Sequence, residues 1–467
     1  MSRAPGSPAA VLPLVVRELA RAVEGAGGRL VVVGGWLRDQ LLGRSSKDLD
    51  LEVFGLAPER IDAILAGFGS TGRVGRQFPV WRLHEIDLAL PRAGVSDYDP
   101  ARPDSIEEAF RQAARHRDLR VNAIGWEPLE GRWIDPWCGR ADLEGQRLRA
   151  VDCETFGADP LRLLRVARFE ATLDARADEA LVTICRGLDT SSLPVERIAG
   201  ELRRILLEPV LPSRAFRFLE RCDRLDVVPP IAALRGVPQD PVWHPEGDVF
   251  VHTLMVVDRA ALLDLTSEGS EREQLLWAAL CHDLGKPEAT RIDGDRVLAR
   301  GHETASARIT REWLEALRLP SRMIQAVEAL VRHHLAPGQL VSQSAGPKAY
   351  RRLARRLGSA GVGLAALERI ARVDRLGRTT AEARAGRFEA GEQFLEAARA
   401  AGVEASARPE VVHAADLMAR GLAAGPALGR ALERARELQD EHGWESAEPI
   451  LRQLVVEGIL EDGSERG

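Results

Sequence analysis

Residues 1–10 are small and Pro/Ala-rich, which predicts a frayed end, and residues 11–23 then repeat apolar positions at helical spacing. Glycines at 25, 27 and 28 break that helix and lead into a continuous apolar run at 30–33, read as a buried strand. A Gly34-Gly35 turn, a short helix ending near Gly43 and a second strand follow, with Asp48, Asp50 and Glu52 alternating with Leu49 and Leu51. Alternation puts the carboxylates on one face and the leucines in the core. Pro58 opens a helix that runs to Gly67, and the alternating stretch 81–90 predicts one strand with Glu85 and Asp87 on a common face. Residues 91–103 read as a polar Gly/Pro/Asp loop, 106–116 as a helix, 115–124 as a basic helix end entering an apolar strand, and 134–143 as a turn-rich connection. From Asp159 onward the periodicity is helical: 159–169 with an N-cap aspartate and Pro160 at its first position, then 195–207 and 213–223. The turn-rich segment 239–247 is a candidate boundary, 275–284 a very apolar helix, and the region beyond about residue 380 a polar Ala/Glu/Arg-rich helical tail. The fold class expected is α+β, a small α/β head followed by all-α domains.

Length and composition narrow the class. At 467 residues the chain predicts several domains; 45% hydrophobic and 29% charged residues, with no apolar run able to span a bilayer and no signal-like start, predict a cytoplasmic protein without a membrane partner. Five scattered cysteines without a CxxC pair exclude a disulfide framework and a cysteine zinc site. A net charge of −6 means that any polyanion must meet a local basic surface rather than the field of the whole molecule. The sequence carries no signature of a particular oligomeric state.

Three groups of residues carry candidate chemistry. Asp48 and Asp50 side by side repel unless a cation sits between them; hard oxygen ligands favour magnesium, and the glycine turn with Arg38 suits a phosphate. Asp87 is a candidate third metal carboxylate, or else a structural or solvated acid. Arg117, Asp118 and Asn122 read either as contacts to triphosphate and ribose or as a helix cap and ion pair. Asp159, Arg162 and Arg165 share one helix sector, with Arg168 drifting off it; such a set suits the hydrogen-bonding edge of a base, and equally an ordinary charged helix face. Finally, His244, His252, His282, His302, His333 and His334 are six of the ten histidines, and with Asp283 and Asp374 they form the type of group used by transition-metal hydrolytic sites.

With these motifs in view the chain resembles the class II bacterial tRNA nucleotidyltransferases, the CCA-adding enzymes, in the form with a C-terminal HD domain. GGWLRDQLLGRSSKDLDL resembles the metal and triphosphate motif, implying Asp48 and Asp50 as catalytic magnesium ligands and Gly35 and Arg38 as nucleotide contacts. HRDLRVNAI resembles the second motif, implying Arg117, Asp118 and Asn122 near ribose and phosphates, and DPWCGRADL a hinge. DPLRLLRVARF resembles the helix that selects the incoming base, implying Asp159 and Arg162 as base readers with Arg165 and Arg168 in support; PVERIAGEL fits the fifth, structural motif. HTLM, CHDLGK and RVDRLGR match the HD pattern, implying His252, His282, Asp283 and Asp374 as ligands of Ni2+, Mn2+ or Co2+.

The resemblance implies a head at 1–150, a helical neck and body at 151–238, an HD phosphohydrolase domain at 239–385 and a helical tail at 386–467. The implied function is template-independent addition of C and A from CTP and ATP to the tRNA 3′ end, with a phosphatase or phosphodiesterase activity in the HD domain. Three departures stand out: His116 replaces an arginine, Ala158 precedes Asp159 where an acid is usual, and the loop after Leu90 is short and lacks a basic, glycine-rich segment. The last leaves open an enzyme restricted to CC or to A addition. From another class, the chain reads as an HD phosphohydrolase whose head only binds nucleotide.

Overall fold

The computed structural model describes residues 8, 11–46, 49–69, 73–74, 80–91, 98–99, 101–102, 105–263, 269–294 and 296–461. Asp48 and most of the loop after Leu90 lie outside the described residues. The chain divides into two compact units, residues 1–193 with 217–224, and residues 194–216 with 225–467. Among the described residues no helix is long and apolar enough to cross a membrane. The mixed head and mostly helical remainder make an α+β protein.

The first unit is built on a seven-stranded sheet with the order β3-β4-β5-β2-β1-β6-β7. Its strands are β1 (Arg29–Val33), β2 (Leu49–Phe54), β3 (Arg73–Val74), β4 (Val80–Leu83), β5 (Ile86–Ala89), β6 (Gly125–Glu127) and β7 (Arg132–Ile134). β1 and β2 pair antiparallel with Val33 opposite Asp50, and β2 and β5 pair parallel with Asp50 beside Asp87. Strand alternation sorts β2 cleanly. Leu49, Leu51 and Val53 join Leu30 and Val32 in a core that includes α1 (Leu14–Gly25) and α3 (Pro58–Ala66). The opposite face packs Val31, Val33 and Phe54 against α4 (Ser105–Ala114), so Asp50 and Glu52 point to that side.

Stretch 81–90 is a hairpin rather than one strand. The chain reverses at His84, whose φ is 56°, and the buried positions shift from Trp81 and Leu83 to Ile86 and Leu88. That one-residue phase shift is the mark of the turn. Glu85 sits in the turn, so it does not share a strand face with Asp87. Two further boundaries move. Residues 115–124 form a 3-10 turn (Arg120–Asn122) before β6, and 134–143 ends in a short helix, α5 (Gly139–Glu144). In that segment Asp135 accepts from the N–H groups of Gly139 and Arg140 at 2.7 and 2.9 Å, while buried Asp142 takes Arg149 Nε at 2.8 Å. Gly139 lies so close to the 3-10 turn that a Cβ would stand 2.0 Å from the Arg120 carbonyl oxygen.

After that segment comes α6 (Arg162–Leu173), which starts two residues later than the Asp159-Pro160 signal suggested. The Asp159 carboxylate accepts from Leu161 N–H at 3.1 Å, closing a turn ahead of the helix, so its N-cap position is held by Leu161 instead.

Among the described residues the second unit is helical apart from one small hairpin, Arg291–Asp293 with Arg296–Leu298. Its central helix, Ser270–Cys281, is buried at every residue from Leu275 onward, and burial continues through His282, Asp283 and Leu284. A helix apolar all round needs neighbours on all sides. Val249–Leu262, Ser321–His333 and Leu364–Leu376 supply them. The tail has its own core, in which Leu417, Ala431, Leu438, Ile450 and Leu454 pack together.

Gly139→Ala should force the 3-10 turn away from α5 and cost about 1–3 kcal/mol, the usual price of overpacking. Urea unfolding measures it, and a change below about 0.5 kcal/mol would show that the close approach is not required.

Candidate functional site

In the head, the site grows from the β1–α2 turn, where α2 is Gly35–Leu41. Gly34 has φ 82°, a conformation that favours glycine, and a Cβ there would lie 2.5 Å from Asp50 Oδ2. The bare turn therefore makes room for the Asp50 carboxylate. Asp87, its neighbour across the parallel pair, is engaged by Arg82 through two hydrogen bonds of 2.9 and 3.2 Å. Two residues along β2, Glu52 accepts from Arg117 Nη2 at 2.7 Å, and its Oε2 is buried with no hydrogen-bond partner among the described residues. Arg117 also donates to the Asn122 carbonyl at 3.0 Å. Carboxylates of this kind are the donors a divalent magnesium ion takes.

A second chain of contacts crosses the unit. Arg38 Nη1 donates to Asn122 Oδ1 at 2.8 Å; Asn122 Nδ2 donates to Asp118 Oδ1 at 2.9 Å; Arg165 Nε donates to Asp118 Oδ2 at 2.7 Å. The Leu119 N–H adds a fourth contact at 2.7 Å. Asp118 is buried, which disfavours its charge, but the Arg165 guanidinium and these donors hold its carboxyl below the usual carboxylate range. Arg38, Arg165 and Arg168 all stand over the Phe169 ring, at 5.2, 5.5 and 4.3 Å from its centroid. Arg162 is buried and donates to the carbonyls of Thr155 and Phe156, both at 3.1 Å, and of His116 at 2.5 Å. Because the His116 contact is through its backbone, the side chain at that position does not affect it.

The second unit brings six ligand-type side chains together: His252, His282, Asp283, His302, His334 and Asp374, all buried. His252 Nε2 lies 3.1 Å from Asp374 Oδ1 and 3.8 Å from Asp283 Oδ2, and His282 Nε2 is 3.1 Å from the same Oδ2. On the other side His302 Nε2 lies 3.2 Å from Asp283 Oδ1 and 3.4 Å from His334 Nε2. Each imidazole is oriented through its Nδ1. His282, His302 and His334 donate to the carbonyls of Ala279, Ala299 and Val331 at 2.9, 2.7 and 2.7 Å. His252 donates to Glu246 Oε1 at 2.8 Å, which also takes His244 at 2.9 Å, while Glu246 Oε2 accepts from Thr379 N–H at 3.1 Å. A carbonyl oxygen can only accept, so each Nδ1 carries a hydrogen and leaves Nε2 for a metal. Burial, with His282 and His302 nearby, takes His334 down to about 3, so it is a neutral ligand at ordinary pH. Lys286 Nζ lies 2.7 Å from Asp283 Oδ2, and a cavity of about 240 Å³ lined by Lys286, His302, His334, Asp374 and Arg378 opens onto the group.

Residues 30–149 match the Poly A polymerase head domain and residues 249–361 the HD domain. Similar solved structures include a Bacillus stearothermophilus CCA-adding enzyme in complex with CTP (TM-score 0.62, 20% identity, 95% of this chain and 98% of that one). A Thermotoga maritima CCA-adding enzyme complexed with tRNA gives 0.58 at 17% identity, over 98% of this chain and 100% of that one. At such identities they establish the fold. A multifunctional CCA protein of Methylococcus capsulatus is 38% identical over 322 residues, 65% of this chain and 71% of that protein. The chain belongs to the multifunctional CCA protein family.

For a member of this family the sequence-derived sites divide as follows. Gly35, Arg38, Arg117, Asp118, Asn122, Arg165 and Arg168 fall in one connected region of the first unit with Asp50, whereas Asp48 lies outside the described residues. Asp159 and Arg162 are engaged by backbone groups at the start of α6. His252, His282, Asp283 and Asp374 converge. Sequence reasoning missed His302 and His334 as members of that group, although both stood in its count of clustered histidines. It also missed Glu246, whose signal was its place two residues after His244 and six before His252.

Asp118→Asn should destabilise the head by about 1–3 kcal/mol at neutral pH, because Arg165 loses its counter-charge. The native carboxyl titrates below its unfolded value, so its stabilisation is present above about pH 4 and is lost as pH falls through the depressed native value. The difference between variant and parent should therefore shrink in acid, as read by hydrogen exchange at residues 118–124; a difference independent of pH would contradict it.

Proposed function

We propose that this chain is a tRNA 3′-end nucleotidyltransferase that adds C and A residues from CTP and ATP to complete the CCA terminus, and that residues 239–385 act as a metal-dependent phosphohydrolase. The observation that carries the reading is that Arg38, Asn122, Asp118 and Arg165, drawn from three separated motifs, form one hydrogen-bonded chain beginning at the turn that receives Asp50. Relatives that bear the name multifunctional CCA protein include those of Methylococcus capsulatus and of Pasteurella multocida, the latter 34% identical over 66% of this chain and 74% of its own length.

In this reading the tRNA 3′-hydroxyl attacks the α-phosphate of the nucleotide in line, and pyrophosphate leaves. Asp48 and Asp50 would hold magnesium, which would supply positive charge beside the triphosphate and the attacking oxygen. Gly35 and Arg38 meet the phosphates at the start of α2, with Arg117, Asp118 and Asn122 beside the ribose. Asp159 and Arg162 select the base, with Arg165 and Arg168 fixing their surroundings; Arg162 must release backbone carbonyls to do so. Such donors act mainly through position and charge. In the HD site His252, His282, Asp283 and Asp374 would hold Ni2+, Mn2+ or Co2+. The donor set fits, because buried His252 and His282 bring Nε2 to 3.8 and 3.1 Å from Asp283 Oδ2, and His252 Nε2 also lies 3.1 Å from Asp374 Oδ1. The four-part division into 1–150, 151–238, 239–385 and 386–467 is the working assignment for these activities. A cytoplasmic location goes with a tRNA substrate.

Incubation with labelled CTP or ATP and tRNA transcripts ending before C74, at C75 and at A76 tests the assignment. A full enzyme extends the first two and leaves the third unchanged. CMP incorporation without later AMP identifies a CC-adding enzyme, in keeping with the short loop after Leu90; AMP on the C75 end alone identifies an A-adding one. No incorporation on any transcript contradicts the proposal.

Asp48→Ala should abolish incorporation and spare phosphate release from a phosphate ester, and Asp283→Ala should do the reverse. Loss of both activities in either folded variant would argue against two separate sites. Phosphate release without any incorporation by the unaltered protein would favour an HD phosphohydrolase with a nucleotide-binding head.

A further inference from the structure

Three guanidinium groups from two elements of the first unit stand over one ring. The Phe169 ring centroid lies 5.2 Å from Arg38 Cζ, 5.5 Å from Arg165 Cζ and 4.3 Å from Arg168 Cζ, with Arg38 on α2 and the other two on α6. Phe169 is 3% exposed and Arg168 2%. A phenylalanine that only fills a core is surrounded by apolar groups, and a buried guanidinium needs a counter-group. Like charges drawn to one place also repel, so a group between them has to offset that repulsion. The face of an aromatic ring does so, because its quadrupole is negative there and attracts a cation most strongly away from water. Arg38 and Arg165 keep carboxylates as well. Asp39 Oδ1 accepts from Arg38 Nε and Nη2 at 3.1 and 2.9 Å, and Asp118 Oδ2 accepts from Arg165 Nε at 2.7 Å. Arg162, earlier on α6, shows the same pairing singly, with Cζ 5.4 Å from the Phe156 ring centroid.

From this we infer that Phe169 is a positioning residue for nucleotide binding. Its ring holds Arg38, Arg165 and Arg168 together without neutralising them, so that their charge is available to the triphosphate. The inference rests on the nucleotidyltransferase reading and adds to it a residue that acts through the arginines and touches no substrate. A carboxylate in the ring's place would hold the three cations more tightly and cancel one of their charges. An aliphatic side chain of similar volume would leave the charges intact and give them nothing to gather on. A ring meets both requirements, and the gathered charge attracts the phosphates, the part that CTP and ATP have in common. The ring therefore acts on affinity for the triphosphate and leaves the choice of base to other residues.

The test keeps the shape of the ring and changes its charge distribution. In the full-length protein Phe169 is replaced by phenylalanine carrying one, two or three ring fluorines, which drain negative charge from the ring face with little change of volume, and by leucine in Phe169→Leu. KM and kcat are measured for CMP incorporation on a tRNA transcript ending before C74, or for AMP on one ending at C75 if the parent adds only A. Inorganic tripolyphosphate, which has no base, is the competitor, and its Ki is read on the same samples. The inference predicts that log KM and log Ki rise together with each fluorine, to about 3- to 30-fold with three. The value of kcat stays within about twofold, the mark of lost ground-state binding. A flat KM across the fluorine series, with a rise in Phe169→Leu alone, assigns the residue to packing and overturns the inference. A rise in KM with an unchanged Ki also overturns it, since the ring then acts on the base. If the unaltered protein incorporates neither nucleotide, the nucleotidyltransferase reading falls and the inference with it. Thermal melting separates lost binding from lost folding, and the singly fluorinated ring carries the test if a larger change does not fold.

Discussion

A buried carboxylate governs the head. Asp118 is 5% exposed, and a charge in such a place costs several kcal/mol unless donors surround it. Arg165, Asn122 and the Leu119 N–H meet that requirement, and each is thereby fixed. Fixing Asn122 orients the Oδ1 that receives Arg38, and fixing Arg165 helps seat the guanidiniums around Phe169. The requirement to satisfy one anion thus connects the glycine turn, the 3-10 turn and α6. Several cations held around an aromatic ring favour any further anion that arrives, and a nucleotide triphosphate is such an anion.

The metal-type centre of the second unit follows a related rule with imidazoles. His282 and His334 sit just past the ends of their helices, and each bonds the carbonyl three residues earlier. Last-turn carbonyls lack helical partners, so these contacts satisfy them and aim Nε2 at the centre together. Glu246 does the same for His252 and, through Thr379 N–H, ties it to the segment that follows Asp374. The helix that leads into His282 and Asp283 is buried at every residue from Leu275 onward, which keeps this geometry from relaxing.

Much of this was legible in the residues themselves. The apolar run of β1, the alternation of β2 and the helix 195–207 all lie where the pattern put them. What escaped depended on contacts between distant segments. Nothing local to Arg162 shows that the carbonyls of Thr155, Phe156 and His116 surround it. Likewise the α6 start moved because the Asp159 carboxylate closes a turn rather than capping the helix. In stretch 81–90 the apolar phase shift was present, but alternation read across it hid the turn at His84. His302 and His334 sit 19 and 51 residues beyond Asp283 in the chain, and only folding brings them to its second oxygen.

The central claim, that Asp118 makes Asn122 and Arg165 act as one unit toward a nucleotide, is tested most directly by a double-mutant cycle on CTP affinity. Asn122→Ala, Arg165→Gln and the double variant are compared with the parent by calorimetry. Shared dependence on Asp118 predicts a coupling of about 0.5–3 kcal/mol, with the second substitution costing less than the first. Additive losses, with coupling below about 0.3 kcal/mol, would mean that the two side chains act independently and that the buried carboxylate does not organise the site.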